Sequence, residues 1–147
     1  MQLSSGLLLR LADPSDRWRL ALVEARSFGW DRLLMGYWSR LDGRKVRGWV
    51  AGAGGSIVGY VLVEQRAWQG RSRPYVPGLG VLPAWRRRGC GGVLMRQALG
   101  VHRALWLHVR AGNYPARNLY ARLGMCETAR ISGFYANGED AIVVEAV

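Results

Sequence analysis

A strand end, a basic glycine-rich turn and a helix start follow one another without interruption in Val81-Leu-Pro-Ala-Trp-Arg-Arg-Arg-Gly-Cys-Gly-Gly-Val-Leu94. No other stretch of the chain restricts its fold as much. A helix beginning here leaves the N–H groups of its first turn without backbone acceptors, and its dipole puts partial positive charge at the turn. Gly89, Gly91 and Gly92 carry no side chains, so phosphate groups can approach the main chain. Arg86, Arg87 and Arg88 add formal positive charge. The spacing Arg86-x-x-Gly89-x-Gly91 lacks the Gly-Lys-Ser/Thr ending of a Walker loop and is not Gly-x-Gly-x-x-Gly. Taken alone, the stretch admits two readings, a diphosphate cradle and an ordinary basic turn ahead of a helix.

Further along, Leu105-Trp-Leu-His-Val-Arg110 alternates as a strand does, and Ala111-Gly-Asn113 forms a turn. Residues 115–123 then have helical character, closed by Gly124 where a left-handed cap fits. The combined pattern, Leu107-x-Val-Arg-x-x-Asn-x-x-Ala-x-x-Leu-Tyr-x-x-Leu-Gly124, closely resembles the GNAT N-acetyltransferases. Within that family it looks most like the ribosomal-protein-alanine N-acetyltransferase (RimI) subgroup. The run 81–94 resembles the family's pyrophosphate signature. Glu24-Ala-Arg-Ser-Phe28-Gly-Trp30 resembles the subgroup's first helix and loop, and Phe134-Tyr135-x-x-Gly138-Glu139-Asp140-Ala141-Ile142 its last hairpin. The four matches come in order along the whole chain.

The resemblance implies one GNAT domain over residues 1–147. Its α/β fold would have a mixed, mostly antiparallel sheet, splayed between strands 4 and 5, with helices on both faces. It further implies acetyl-CoA as co-substrate and direct transfer of acetyl to a primary amine. Leu79, Gly80 and Val81 would offer backbone groups to the pantetheine and the thioester oxygen. Arg87, Arg88, Gly89, Cys90, Gly91 and Gly92 would cradle the diphosphate. Asn113 would cap the last helix and hydrogen-bond the cofactor arm. Tyr120 would protonate the leaving thiolate; its plain alternative is an aromatic on a buried helix face. Phe28, Trp30 and Tyr135 match the loops that grip a peptide's first residues, or else anchor those loops to the core.

His108 departs from the subgroup, which has glutamate as general base at this place. Strand alternation sets His108 on one face with Trp106 and Arg110. A neutral imidazole with pKa near 6.5 suits an α-amine of pKa about 7.7–8.0 better than a lysine at about 10.4. The preferred acceptor is therefore a protein N-terminus, ribosomal proteins being the natural guess. Water or Glu139 is the alternative base, and nearby Arg110 would keep the imidazole neutral. The competing functions are a small-molecule amine acetyltransferase and a basic RNA- or ribosome-binding module without turnover.

Composition narrows these choices. At 147 residues the chain makes one core. Its apolar runs are too short to span a membrane, and the expected location is cytoplasmic. Cys90 and Cys126 make neither a disulfide framework nor a metal pair, and Cys90 reads as a small filler between glycines. The net charge of +11 invites nucleic acid. However, 20 of the 21 basic residues are Arg, spread from Arg10 to Arg130 instead of forming one stripe. Association with a ribosome or another acidic partner by long-range steering stays open. Trp18, Trp49 and Trp106 fall at apolar positions and read as core, while His102 reads as a surface residue.

The coarse course is a strand over residues 6–11, a helix capped by Asp13 with Trp18, Leu22 and Ala25 on one face, and a second short helix from Asp31. A hairpin of 47–51 and 57–65 comes next, then a strand over 75–82 that Pro77 must bulge. A helix of about ten residues over 91–101 and a closing pair over 131–135 and 141–147 complete it.

Overall fold

The computed structural model describes residues 6–28, 41 and 44–147. The short helix expected after Asp31, the residue Trp30 and the side chain of Phe28 lie outside that description.

Among the described residues seven strands form one sheet in the order β1-β2-β3-β4-β5-β7-β6, where β1 is Leu8–Leu11, β2 Val46–Ala53, β3 Ser56–Trp68, β4 Arg71–Val81, β5 Trp106–Arg110, β6 Cys126–Ile131 and β7 Ala141–Glu145. Every neighbouring pair is antiparallel except β4 with β5. Asp13 opens α1 (Arg17–Phe28) through a short 3-10 turn with a reciprocal cap: its carboxylate accepts from Ser15 N, and Asp16 accepts from Asp13 N. The β2–β3 turn is Gly54-Gly55, both at positive φ, the backbone that a two-residue hairpin of native twist requires.

Sheet alternation sends side chains to two cores. On one face α1 buries Leu20, Ala21 and Val23 against Val46, Val50, Tyr60 and Leu62. On the other, α2 (Cys90–Val101) and α3 (Tyr114–Arg122) cover Trp49, Val61, Leu107 and Val109 with Leu94, Met95, Ala98 and Tyr120. Helices therefore lie on both faces, as expected from a chain that alternates strand and helix. Among the described residues no helix is long and apolar enough to cross a membrane.

Three expectations about the frame need correction. Trp18 and Leu22 do not face the core; they are 68% and 45% exposed, and α1 buries the arc carrying Leu20, Val23 and Glu24 instead. An isolated amphipathic pattern did not reveal this because apolar residues occur on both sides of this helix, Leu20 on the buried one and Trp18 and Leu22 on the exposed one. The strand before β7 is Cys126–Ile131, not 131–135. Residues 132–140 form a loop, tied back where Asp140 accepts from Gly133 N and Arg130 Nε. His102 is half-buried, its ring edge-on to Trp49 at 5.8 Å, and burial and Arg47 lower its pKa.

Pro77 acts as its chemistry demands. Gly78 pairs with Leu62 and Tyr75 with Glu64, so Val76 and Pro77 stand opposite the single residue Val63. That is a bulge, placed where the missing N–H cannot serve a ladder.

Candidate active site

The parallel strands β4 and β5 share a single register pair, Tyr75 with Trp106. Past that pair they diverge, and the backbone of the second half of β4 has no β5 partner. A groove of about 620 Å³ occupies the cofactor-side opening. Its lining comprises Leu79 and Val81 of β4, Trp85, Arg86, Arg87 and residues 89–92, and Asn113, Pro115, Ala116, Leu119 and Arg122.

The helix start behaves as the sequence predicts. Gly89 is the N-cap of α2 at φ +81, and no side chain caps the helix. Arg87 also takes a positive φ, +62, so two left-handed residues bracket Arg88 and curl the backbone before the helix. The first intrahelical bond runs from Val93 N to Gly89 O at 3.0 Å. The amides of residues 90–92 therefore lack intrahelical acceptors. A Cβ on Gly91 would lie 3.4 Å from Leu119 Cδ2, and one on Gly92 3.5 Å from Arg96 Nη1, so side chains there would fill the floor. Among the described residues three arginines and no carboxylate line the groove. Free amides, a helix dipole, positive charge and a bare floor fit the diphosphate of acetyl-CoA.

Of the residues expected to contact the donor, Arg88 and Gly80 are not among those lining the groove. Arg88 turns to Trp85, its guanidinium carbon 4.8 Å from the ring centroid. Gly80 is buried beneath Tyr60; a Cβ there would come within 2.5 Å of that ring. Cys90 is buried, and desolvation pushes its thiol up to about 11. A thiol held protonated this way is no nucleophile, consistent with a filler role.

A smaller cavity of about 110 Å³ adjoins the groove, the two sharing Leu79 and Asn113. Asn113 caps α3, its Oδ1 accepting from Ala116 N at 3.3 Å. The smaller cavity brings together His108 from β5, Tyr120 from α3 and Tyr135 from the β6–β7 loop, with Tyr60, Pro77 and Arg110 around them.

His108 Nδ1 lies 2.8 Å from Tyr75 Oη, and the imidazole stacks on Phe134 with centroids 4.4 Å apart. Burial first, and the charge of Arg66 second, lower the His108 pKa below its ordinary value. Arg66, whose guanidinium carbon is 3.8 Å from the Tyr75 centroid, takes the part expected of Arg110. Arg110 is engaged elsewhere: it pairs with Glu139 at 3.1 Å and lies 4.0 Å from the Tyr135 centroid. Glu139, the alternative base, is held below the usual carboxylate range by Gly112 N, which it accepts at 2.9 Å, and by Arg110. A carboxylate stabilised in that way is a poor proton acceptor.

Tyr120 is 6% exposed, so the buried-aromatic reading and the cavity-lining reading hold together. Burial, helped by Tyr135, raises its pKa well above that of a free phenol. Two residues of the cavity region carry no local signal in the sequence. Tyr75 meets His108 only through the β4–β5 register. Tyr60 donates to the buried Glu24 at 3.2 Å across the sheet–helix interface, which joins residues far apart in the chain.

The Acetyltransferase (GNAT) family profile matches residues 14–125. An N-alpha-acetyltransferase of Sulfurisphaera tokodaii is 32% identical over 111 residues, covering 66% of each chain. A streptothricin acetyltransferase of Streptomyces lavendulae is 34% identical over 100 residues, covering 62% of this chain and 52% of that protein. These alignments span two thirds or less of the relatives' own length. The crystal structure of the ribosomal-protein-S18-alanine N-acetyltransferase from Escherichia coli superposes with a TM-score of 0.82 at 20% identity, covering 95% of this chain and 92% of that one. The splayed β4–β5 pair, the uncapped glycine-rich start of α2 and the matched profile agree in one conclusion: this chain belongs to the acetyltransferase (GNAT) family, whose acetyl donor is acetyl-CoA.

Proposed function

We propose that the protein moves acetyl from acetyl-CoA directly to the α-amino group of a protein N-terminus. The observation that carries this reading is His108, a half-buried imidazole kept below its ordinary pKa and held by Tyr75 on the acceptor side of the splayed sheet.

The nucleophile must arrive as a neutral amine. An α-amine lies about one unit above pH 7, a cost of roughly 1.4 kcal/mol, whereas a lysine side chain lies over three units above, roughly 4.6 kcal/mol. His108 is neutral at pH 7 but a weak base, adequate for the smaller task and poor for the larger. Its geometry allows one productive tautomer: an accepting Nε2 requires Nδ1 to keep its proton, and the Tyr75 oxygen stands at 2.8 Å to accept that hydrogen bond. In the transfer, the amine nitrogen forms a bond to the thioester carbon, and the carbon–sulfur bond breaks with its electron pair leaving on sulfur. The amine proton passes to His108, directly or through one water. Tyr120 keeps its own proton at any working pH because its pKa is raised. Against a thiol of ordinary pKa about 8.5 it acts as a hydrogen-bond donor that stabilises the departing sulfur more than as a full acid. Leu79 and Val81 would present main-chain groups to the pantetheine, and the amides of residues 90–92 would hold the diphosphate.

The Streptomyces relative favours a second reading, a small-molecule amine as acceptor. Small cationic amines are usually held by carboxylates, and among the described residues no carboxylate lines the cavity around His108. Protein N-termini, on ribosomal proteins or others in the cytoplasm, therefore remain the preferred acceptors. The test is CoA release with peptides that differ at their first two residues, beside Nα-blocked lysine peptides and polyamines. Acetylation of free N-termini with silence on the blocked peptides is the expected result. Acetyl appearing only on lysine side chains or polyamines would overturn the acceptor assignment.

A further inference from the structure

We infer that Tyr60, held by the buried carboxylate of Glu24, is the wall against which the acyl chain of the donor ends, which makes the protein selective for acetyl-CoA over longer acyl-CoA thioesters. This inference rests on reading the cavity around His108 as the place of acyl transfer.

Tyr60 and Gly80 face each other across the β3–β4 register. The Tyr60 ring takes the space a side chain at Gly80 would need: a Cβ there would lie 2.5 Å from Tyr60 Cε1 and 2.8 Å from Cζ. The ring therefore lies against the main chain of β4, at the strand end where Leu79 and Val81 would meet the thioester. It also lines the cavity that holds His108 and Tyr120, the groups placed at the amine and at the sulfur. An acyl carbon bonded to that sulfur and open to that amine lies between them, so its chain extends into the same cavity. The space is small, about 110 Å³. A void of about 150 Å³ holds one benzene ring. The smaller space must take the acyl chain and the first atoms of the acceptor together. Acetyl brings one methyl group, and butyryl two carbons more. The wall cannot swing aside to admit them. Tyr60 is buried in the core with Leu20, Val23, Val50 and Leu62. Its hydroxyl donates to Glu24 Oε2 at 3.2 Å, and breaking that bond would take a donor from a buried carboxylate, which is costly. For every donor the transfer is the same: the amine nitrogen bonds to the acyl carbon, the carbon–sulfur bond breaks with its pair on sulfur, and the amine proton passes to His108. Only the room for the chain differs. The plain role of Tyr60 and Glu24 is to fix α1 to the sheet. That role would affect all donors alike, so the two can be separated.

The experiment is CoA release from acetyl-, propionyl- and butyryl-CoA with a free N-terminal peptide as acceptor, beside calorimetric binding of CoA itself. It compares the intact protein with Tyr60→Phe, Tyr60→Leu and Tyr60→Met. One methylene against a fitted apolar wall changes kcat/KM about 10- to 200-fold. The intact protein should therefore use propionyl-CoA about tenfold, and butyryl-CoA about a hundredfold, less well than acetyl-CoA. Tyr60→Phe keeps the ring and should keep that order. Tyr60→Leu should bring acetyl- and butyryl-CoA within about fivefold of each other. Tyr60→Met, adaptable and closer in bulk, should narrow the ratio in the same direction and serves if the leucine variant does not fold. CoA, which has no acyl chain, should bind the intact protein and the variants alike. Butyryl-CoA used as well as acetyl-CoA by the intact protein, or a ratio that survives the leucine and methionine substitutions, overturns the inference and leaves the acyl-transfer reading standing. So does an equal loss for all donors joined to weaker CoA binding, which marks Tyr60 as a packing residue. No release from any donor by the intact protein would sink the acyl-transfer reading as well.

Discussion

The donor side and the acceptor side of the splayed sheet are built in opposite ways. On the donor side, one contiguous stretch supplies the end of β4, the left-handed turn and the uncapped start of α2, and only Asn113 and the outer face of α3 come from elsewhere. On the acceptor side, His108, Tyr75, Tyr120, Phe134 and Tyr135 come from four separate parts of the chain and meet only because the sheet places them together. Local backbone geometry makes the first site; tertiary register makes the second. The donor side should therefore fail through backbone and steric changes, and the acceptor side through single functional groups.

The largest effect expected is on the acceptor side. His108→Gln should lower kcat by about a hundredfold or more, the usual contribution of a general base. Because burial and Arg66 keep the imidazole below its ordinary pKa, the intact enzyme should lose activity only as pH falls below that lowered value. The variant should show no such acid limb. An unchanged pH–rate profile in His108→Gln would remove the histidine from the chemistry.

Gly91→Val tests the donor side by shape alone. A Cβ already meets Leu119 at 3.4 Å, so a branched side chain there should obstruct the floor and weaken acetyl-CoA about tenfold or more by calorimetry. Circular dichroism should remain that of the native fold. Retained affinity would mean the diphosphate lies elsewhere.

Tyr120→Phe should lower kcat by about tenfold, with little change in the Kd of acetyl-CoA, if the phenol stabilises the departing sulfur. Full turnover in this variant would leave Tyr120 as a packing residue.

Tyr75→Phe is a milder probe of the same side, since it keeps the ring beneath Arg66 and removes the hydrogen bond to Nδ1. A loss of about fivefold in kcat, with a displaced acid limb, is expected from one such bond. A merely structural Tyr75 would change stability and leave the limb in place.

The smallest effect belongs to Trp18→Ala, on the exposed face of α1. Thermal unfolding should shift by no more than about 0.5 kcal/mol, as for ordinary surface changes. Trp106→Ala, at a position 1% exposed, should by contrast cost about 3–5 kcal/mol. Equal effects from the two would contradict the burial that distinguishes them.

The glycine-rich end of the groove was legible because its geometry is local. Glycine spacing, a helix start and a run of arginines are properties of neighbouring residues, so Gly89, Gly91, Gly92 and Arg87 could be named from the string. The bulge at Pro77 was legible for the same reason: a missing N–H is a fact about one residue. Asn113 and the Asp13 cap likewise follow from short-range hydrogen bonding. That Arg88 turns to Trp85 and that Tyr60 overlies Gly80 was not legible, because proximity in sequence did not say which way the side chain turns or what ring lies overhead. The substitution of Arg66 for Arg110 beside His108 escaped too, since Arg66 reaches the imidazole only across the β3–β4–β5 register.

By itself the sequence determined the order of strands and helices, the bulged fourth strand and the glycine-rich, uncapped helix start, because backbone preferences act over a few residues. Only the tertiary structure decided which face of α1 is buried, that Tyr75 holds His108, and that Tyr60 covers Gly80 while donating to Glu24. Those outcomes depend on strand register and on desolvation, which are sums over residues far apart in the chain, and no short window of sequence contains them.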